Sequence, residues 1–286
     1  MRRPEEGDRP KRRWGQNFLV NEGAADTLVR AFLPRPADHV LEIGPGRGVL
    51  TRRLAGRVAR LVAVEIDPAL ASSLAASLPD SPPPGSLEVI EGDVLAIEPA
   101  LLLERLDATP ERPGRVIANL PYNIATTVIL RLLTLRPRLA DMMVMVQREV
   151  AGRIAARPRS KAYGSLSILC QTFARVDSIL RLGPGSFHPR PRVDSEVIRL
   201  ILRDPGGAAG RDFEGYAALV RAAFAARRKT VSNNLAHLRA PGGTLGHAGA
   251  SDLLRSAGIE PGMRGEEITA ERFQALFAAW QESRGL

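Results

Sequence analysis

Four residues, Asn119, Leu120, Pro121 and Tyr122, close a short apolar run in the stretch VIANLPYNIATTVI, residues 116–129. A carboxamide, a main-chain carbonyl and an aromatic ring at the tip of a buried strand could seat the exocyclic amino group of an adenine. The Asn119 side-chain carbonyl and the Leu120 backbone carbonyl would accept that nitrogen's two hydrogens. Held this way, the nitrogen is biased toward tetrahedral geometry, and the lone pair otherwise delocalised into the ring can face an electrophile. Pro121 fixes the direction of the carbonyl before it, and Tyr122 offers a face on which an unstacked base can rest. Proline also terminates strands, so a bare turn is the competing reading.

An electrophile needs its own seat. VLEIGPGRGVLTRRL, residues 40–54, reads as strand, glycine-rich turn and helix, with Gly44, Gly46 and Gly48 spaced G-x-G-x-G. Such glycines let the backbone turn sharply and approach a ligand, and the following helix points free amides at it. Val49 stands where the dinucleotide fingerprint requires its last glycine, which disfavours a dinucleotide-dependent oxidoreductase. Glu65 ends the next strand roughly twenty residues on, where a carboxylate can accept both ribose hydroxyls. Asp93, after a third strand, is placed to accept from an adenine amino group. Taken singly, Glu65 and Asp93 could be helix caps. Together with the glycines they make an adenosine pocket, and without a phosphate-binding lysine motif it suits S-adenosylmethionine better than ATP or NAD. The departing thioether is neutral, so no strong general acid is required.

These residues need a scaffold. HVLEI, LVAVEI, LEVIEGD, RVIANL and MMVMVQ alternate with helical patterns, which predicts a mostly parallel sheet covered by helices on both faces. The helix EGAADTLVRAFL follows Asn21 as its N-cap. Residues 175–203 read as two strands around a Gly/Pro-rich loop, more naturally antiparallel, and able to close the sheet's edge. DPGGAAGRD, residues 204–212, is a turn-forming boundary, and only helical patterns follow it. The expected division is a flexible basic arm (1–13), a methyltransferase domain (14–205) and a helical domain (206–286). Cys170 is the only cysteine, so no internal disulfide or thiolate zinc cluster forms; it reads as a core residue. His39, His188, His237 and His247 lack metal-ligand spacing, and no metal is expected. The 44% hydrophobic and 25% charged composition is that of a soluble globular chain, with no membrane-spanning run and no secretory signal, so the expected location is the cytoplasm. A formal charge of +9 points to a polyanionic partner, nucleic acid before membrane.

With GQNFL, LEIGPGRGVLT, VEID, EGDVL, NLPYN, FHPRPRVDSEVIRL and FAARRKTVSNNL in that order, the sequence resembles the ribosomal RNA adenine dimethyltransferase family, KsgA type, from about residue 14 to the C-terminal helix. The resemblance implies a class I S-adenosylmethionine-dependent methyltransferase fold, Rossmann-like and mostly parallel with one reversed strand, plus a small all-helical C-terminal domain. It implies dimethylation of two adjacent adenosines in a hairpin loop near the 3′ end of small-subunit rRNA, within a pre-ribosomal subunit and by a monomer. Carried over residue by residue, Gln16, Asn17 and Leu19 close over the cofactor, Gly44 and Gly46 approach it, and Glu65 and Asp93 hold ribose and adenine. Asn119 bridges cofactor and base. Phe187 is the second stacking wall opposite Tyr122; an aromatic plug under a Pro-rich loop is its other reading. Arg227, Arg228 and Lys229, with Arg157, Arg159 and Lys161, would grip RNA backbone, against the plain reading of a solvated charged face. Two alternatives remain: a large-subunit rRNA adenine methyltransferase of the antibiotic-resistance type, and an assembly factor acting mainly by binding.

Overall fold

The computed structural model describes residues 14–77, 86–240 and 243–284; the arm expected over residues 1–13 lies outside them. Nine strands are used below: β1 (Phe18–Leu19), β2 (His39–Ile43), β3 (Arg60–Glu65), β4 (Ser86–Glu91), β5 (Gly114–Asn119), β6 (Leu139–Gln147), β7 (Ala174–Leu182), β8 (Phe187–His188) and β9 (Ser195–Leu202). Seven of them form one sheet in the order β4-β3-β2-β5-β6-β9-β7. The pairs from β4 through β6 are parallel and β9 runs antiparallel to β6. This is the mostly parallel sheet with one reversed strand that the sequence predicts.

The apolar runs are continuous because helices cover both sheet faces, and Val40, Val62, Val116 and Val144 are fully buried. Register then sets the site. Ile43 pairs with Val64 on one side and Ala118 on the other, so the next residues, Gly44, Glu65 and Asn119, come abreast at the strand ends.

Asn21 caps the helix Glu22–Phe32 by accepting the Ala24 amide at 2.9 Å. Its apolar face, Ala25, Leu28, Val29 and Phe32, recurs at helical spacing and is buried; full burial of Phe32 contributes about 2–3 kcal/mol. At the opposite strand ends, Arg115 places its guanidinium 4.1 Å above the Phe32 ring and forks onto Asp141 at 2.8 and 3.1 Å. Asp38 at 2.6 Å and the carbonyls of Phe32 at 2.6 Å and Leu33 at 3.1 Å take its remaining donors. The buried charges are thus paired and hydrogen-bonded.

Contacts divide the chain into two compact units, one running to Ala151 and resuming over Asp177–Leu202, the other formed by Gly152–Val176 and the described residues from Arg203. The break at Leu202 falls close to the expected boundary, but Gly152–Val176 groups with the C-terminal helices. The helix Ser165–Phe173 is buried nearly all round. Its Phe173 meets Tyr216 edge-on at 5.8 Å, Tyr216 meets Phe277 at 5.6 Å, and the Tyr163 hydroxyl donates to the Ile268 carbonyl at 3.0 Å. A helix buried nearly all round needs partners on every side, and the helices Phe213–Ala223 and Ala270–Ser283 pack against it. Cys170 sits in this core, where burial pushes its thiol up to about 12. The unit is helical as expected, with one addition: Arg239–Ala240 and Gly243–Thr244 pair as a short antiparallel ribbon.

Candidate active site

A cleft at the C-terminal ends of β2, β3 and β5 is lined by the strap of residues 14–18, the turn at Gly44 and Gly46, Glu65, Ile66 and the tip 119–122. The glycine turn has left-handed backbone at Gly44 (φ 68), Gly46 (φ 55) and Gly48 (φ 72). Gly46 is doubly constrained, because a Cβ there would lie 2.9 Å from the Phe18 ring. Its amide donates to Glu65 Oε2 at 2.9 Å, while Glu65 Oε1 accepts the Asp67 amide at 3.0 Å. Glu65 is therefore both a clasp on the turn and an acceptor on the cleft wall. Burial holds its carboxyl above the usual carboxylate range, partly offset by those amide bonds. Beneath it Glu42, fully buried with Oε2 unpartnered, is pushed up to about 7 by desolvation.

The strap closes by three independent contacts. Gln16 Nε2 donates to Asp67 Oδ2 at 3.3 Å, Phe18 packs on the glycine turn with Arg47 5.0 Å from its ring centre, and β1 pairs antiparallel with β8. Asn119 Nδ2 donates to the Asn17 carbonyl at 2.9 Å, which fixes the carboxamide's orientation. Asn119 Oδ1 and the Leu120 carbonyl accept no hydrogen bond from the described residues. The turn reading holds as well: the Pro121 carbonyl accepts the Ile124 and Ala125 amides at 3.1 Å each, opening the helix Ala125–Leu133. The half-buried Tyr122 reaches Ser195 Oγ with its hydroxyl at 2.7 Å.

One expected cofactor contact and one stacking wall turn away from the cleft. In the β1/β8 ribbon Leu19 is opposite Phe187 and Phe18 opposite His188. Cross-strand partners share a face and successive residues alternate, so Phe18 turns to the cleft while Leu19 and Phe187 turn to the core. Leu19 is 5% and Phe187 2% exposed, both within the main apolar cluster. Phe187 is thus the plug of the alternative reading. Asp93 lies two residues beyond β4, at the strand end next to that of Glu65, with Oδ1 accepting the Leu95 amide at 2.8 Å. His39 is structural, bonding the Leu106 carbonyl at 2.8 Å. Among the described residues no group of three His, Cys, Asp or Glu side chains could hold a metal ion. The reading of the sequence missed Trp14, Gly15 and Phe18 on the cleft wall and Ser195 behind Tyr122. Nothing local marks Phe18, whose direction is set by pairing with the distant β8, and nothing local marks Ser195.

In the helical unit the two basic clusters are brought together. Arg227 donates to Glu266 at 3.1 Å and to the Lys161 carbonyl, and the Arg159 amide donates to the Glu266 carbonyl at 2.7 Å. Arg157, Arg159, Lys161, Arg227, Arg228 and Lys229 are all exposed, so this is one cationic surface.

A mostly parallel sheet with one reversed strand, its glycine turn and an acidic strand tip set beside an Asn-Leu-Pro-Tyr tip, defines a class I methyltransferase fold. Residues 7–281 match the family model described as ribosomal RNA adenine dimethylase, and the chain belongs to that family. It is 40% identical over 277 residues to the ribosomal RNA small subunit methyltransferase A of Geobacter metallireducens, covering 96% of each chain. To the protein of that name from Hahella chejuensis it is 39% identical over 267 residues, covering 93% of this chain and 91% of that one. Among solved structures it resembles a dimethyladenosine transferase from Plasmodium falciparum (TM-score 0.74, 25% identity, 94% and 98% covered). It also resembles the 23S rRNA methyltransferase ErmE (TM-score 0.63, 27% identity, 92% and 99% covered).

Proposed function

We propose that this protein transfers methyl groups from S-adenosylmethionine to the amino nitrogens of two adjacent adenosines in a hairpin loop near the 3′ end of small-subunit rRNA. The observation that carries the reading is the Asn119–Leu120 tip, two acceptors without a hydrogen bond from the described residues beside a glycine turn, in a chain of this family. S-adenosylmethionine supplies an electrophilic methyl group on a sulfonium. The cleft suits such a molecule: a side-chain-free turn at Gly44 and Gly46 admits close approach, and each Glu65 oxygen keeps a lone pair for a ribose hydroxyl. Gln16, Asn17 and the Phe18 ring form the cover, and Asp93 stands at the far strand tip to orient an adenine.

The chain's own residues do the rest by position. Asn119 Oδ1 and the Leu120 carbonyl hold the target amino group's hydrogens and aim its lone pair along the line of transfer. Tyr122 stacks on a base that has left its helix. No side chain must hold the departing proton, which leaves from the alkylated nitrogen to water. The basic surface of the helical unit grips RNA backbone without reading sequence. The acceptor particle is a pre-ribosomal small subunit met by a monomer in the cytoplasm. No helix among the described residues is long and apolar enough to cross a membrane.

The test is incubation with labelled S-adenosylmethionine and small subunits from a strain lacking the modification, then nucleoside mass spectrometry. Dimethyladenosine at two adjacent loop positions is expected. Label in large-subunit RNA instead would move the chain to the resistance-type activity, and binding without transfer would make it an assembly factor.

A further inference from the structure

Tyr122 is held at both ends. Its backbone follows Pro121 at the tip of β5, and its hydroxyl meets Ser195 Oγ at 2.7 Å. Ser195 is fully buried, opens β9, and is registered against Gln147 at the end of β6. Because β6 lies between β5 and β9, the tyrosine ring must span the end of one strand to reach the next. The reversed direction of β9 matters here. A parallel strand in that place would bring its last residue to this end of the sheet, whereas β9 brings its first, straight out of the loop 189–194.

We infer that Ser195 is a positioning residue for methyl transfer, its hydroxyl fixing the plane of the Tyr122 ring and so the seat of the target base. The inference rests on the stacking role proposed for Tyr122. A tyrosine anchored only at Cβ can tilt about two side-chain bonds, and a base stacked on it tilts too. In-line transfer is intolerant of that tilt, since a misplacement of about 1 Å can cost about a hundredfold in rate. Burial raises the Tyr122 hydroxyl above its ordinary value, so both partners are neutral hydroxyls near pH 7, and the anchor does not titrate there. Ser195 does not itself line the cleft and makes no hydrogen bond to the Asn119 carboxamide; its link to the cleft wall is the Tyr122 hydroxyl.

The experiment measures single-turnover methylation of unmodified small subunits by Ser195→Ala, Tyr122→Phe, the double variant and Tyr122→Ala, with cofactor and RNA affinities and thermal unfolding determined alongside. Ser195→Ala and Tyr122→Phe should each slow transfer about tenfold with affinities unchanged within about twofold, equally at pH 6.5 and 8.5. The double variant should be no slower than either single one, because both remove the same bond. Losses that multiply in the double variant would overturn the inference, as would a loss expressed only in stability. Full activity in Ser195→Ala beside a crippled Tyr122→Ala would refute the anchor and spare the stacking role. Full activity in Tyr122→Ala would remove both.

Discussion

Replacing Asn119 by aspartate changes one NH2 group to oxygen and leaves the side chain's shape intact. In the native protein Nδ2 donates to the Asn17 carbonyl at 2.9 Å and thereby turns Oδ1 away as an acceptor. A carboxylate would meet that carbonyl acceptor to acceptor, losing a bond worth about 1 kcal/mol and gaining a repulsion that swings the group out of line. Removing a hydrogen-bonding group aimed at charge developing in a transition state costs about 10²–10³ in kcat, or about 3–4 kcal/mol. Asn119→Asp should therefore fall at least about a hundredfold and do no better than Asn119→Ala. Unfolding free energy should drop by only about 1 kcal/mol, and RNA affinity should hold. Single-turnover methylation, urea unfolding and filter binding read the three quantities separately. Recovery of near-native transfer by aspartate would refute the reasoning, because it would mean that any acceptor at this position suffices and the donor to Asn17 orients nothing.

The other expectations are more compact. Arg228→Glu with Lys229→Glu, which spares the ties of Arg227 to Glu266 and Lys161, should lower the log–log salt slope of RNA binding by about 1.5; an unchanged slope would place the RNA elsewhere. Gly46→Ala should weaken cofactor binding, because a Cβ would press on the Phe18 ring and left-handed backbone costs about 1–2 kcal/mol outside glycine. Isothermal titration with S-adenosylhomocysteine measures it. Glu42, pushed up to about 7 from 4.5, keeps its proton in the native state where the unfolded chain has lost its own. Its contribution is fully present below pH 4.5 and is lost as pH rises through 7, amounting to about 3 kcal/mol. Glu42→Gln should flatten that part of the stability profile in urea titrations.

Local chemistry made much of this molecule legible. Glu65 and Asn119 could be set at strand tips because the apolar runs before them are uninterrupted and a glycine turn or a proline follows. Strand register then brings them abreast. The β1/β8 ribbon was not legible: Phe18 and Phe187 are far apart in sequence, and no periodicity in two residues says which side each faces. The directions of Leu19 and Phe187 depend on that pairing, and their expected places failed with it. Sequence order puts the helical stretch Gly152–Val176 in the methyltransferase domain, whereas an all-round buried helix belongs wherever aromatic partners are found, here Tyr216 and Phe277. Ser195 was invisible because its partner lies on another strand and its own neighbours are ordinary.

The hydrogen bond from Asn119 ends on the main chain of residue 17, and this has a consequence for how the strap can vary. Side-chain identity at position 17 is irrelevant to the carboxamide's orientation, since every amino acid carries the same carbonyl. Chain length is not irrelevant. One residue more or fewer between Gly15 and Phe18 would slide the carbonyl out of reach and, by two-residue alternation, exchange the faces of Phe18 and Leu19. Substitutions at position 17 should thus leave the carboxamide's orientation intact, whereas single-residue insertions or deletions between Gly15 and Phe18 should silence transfer.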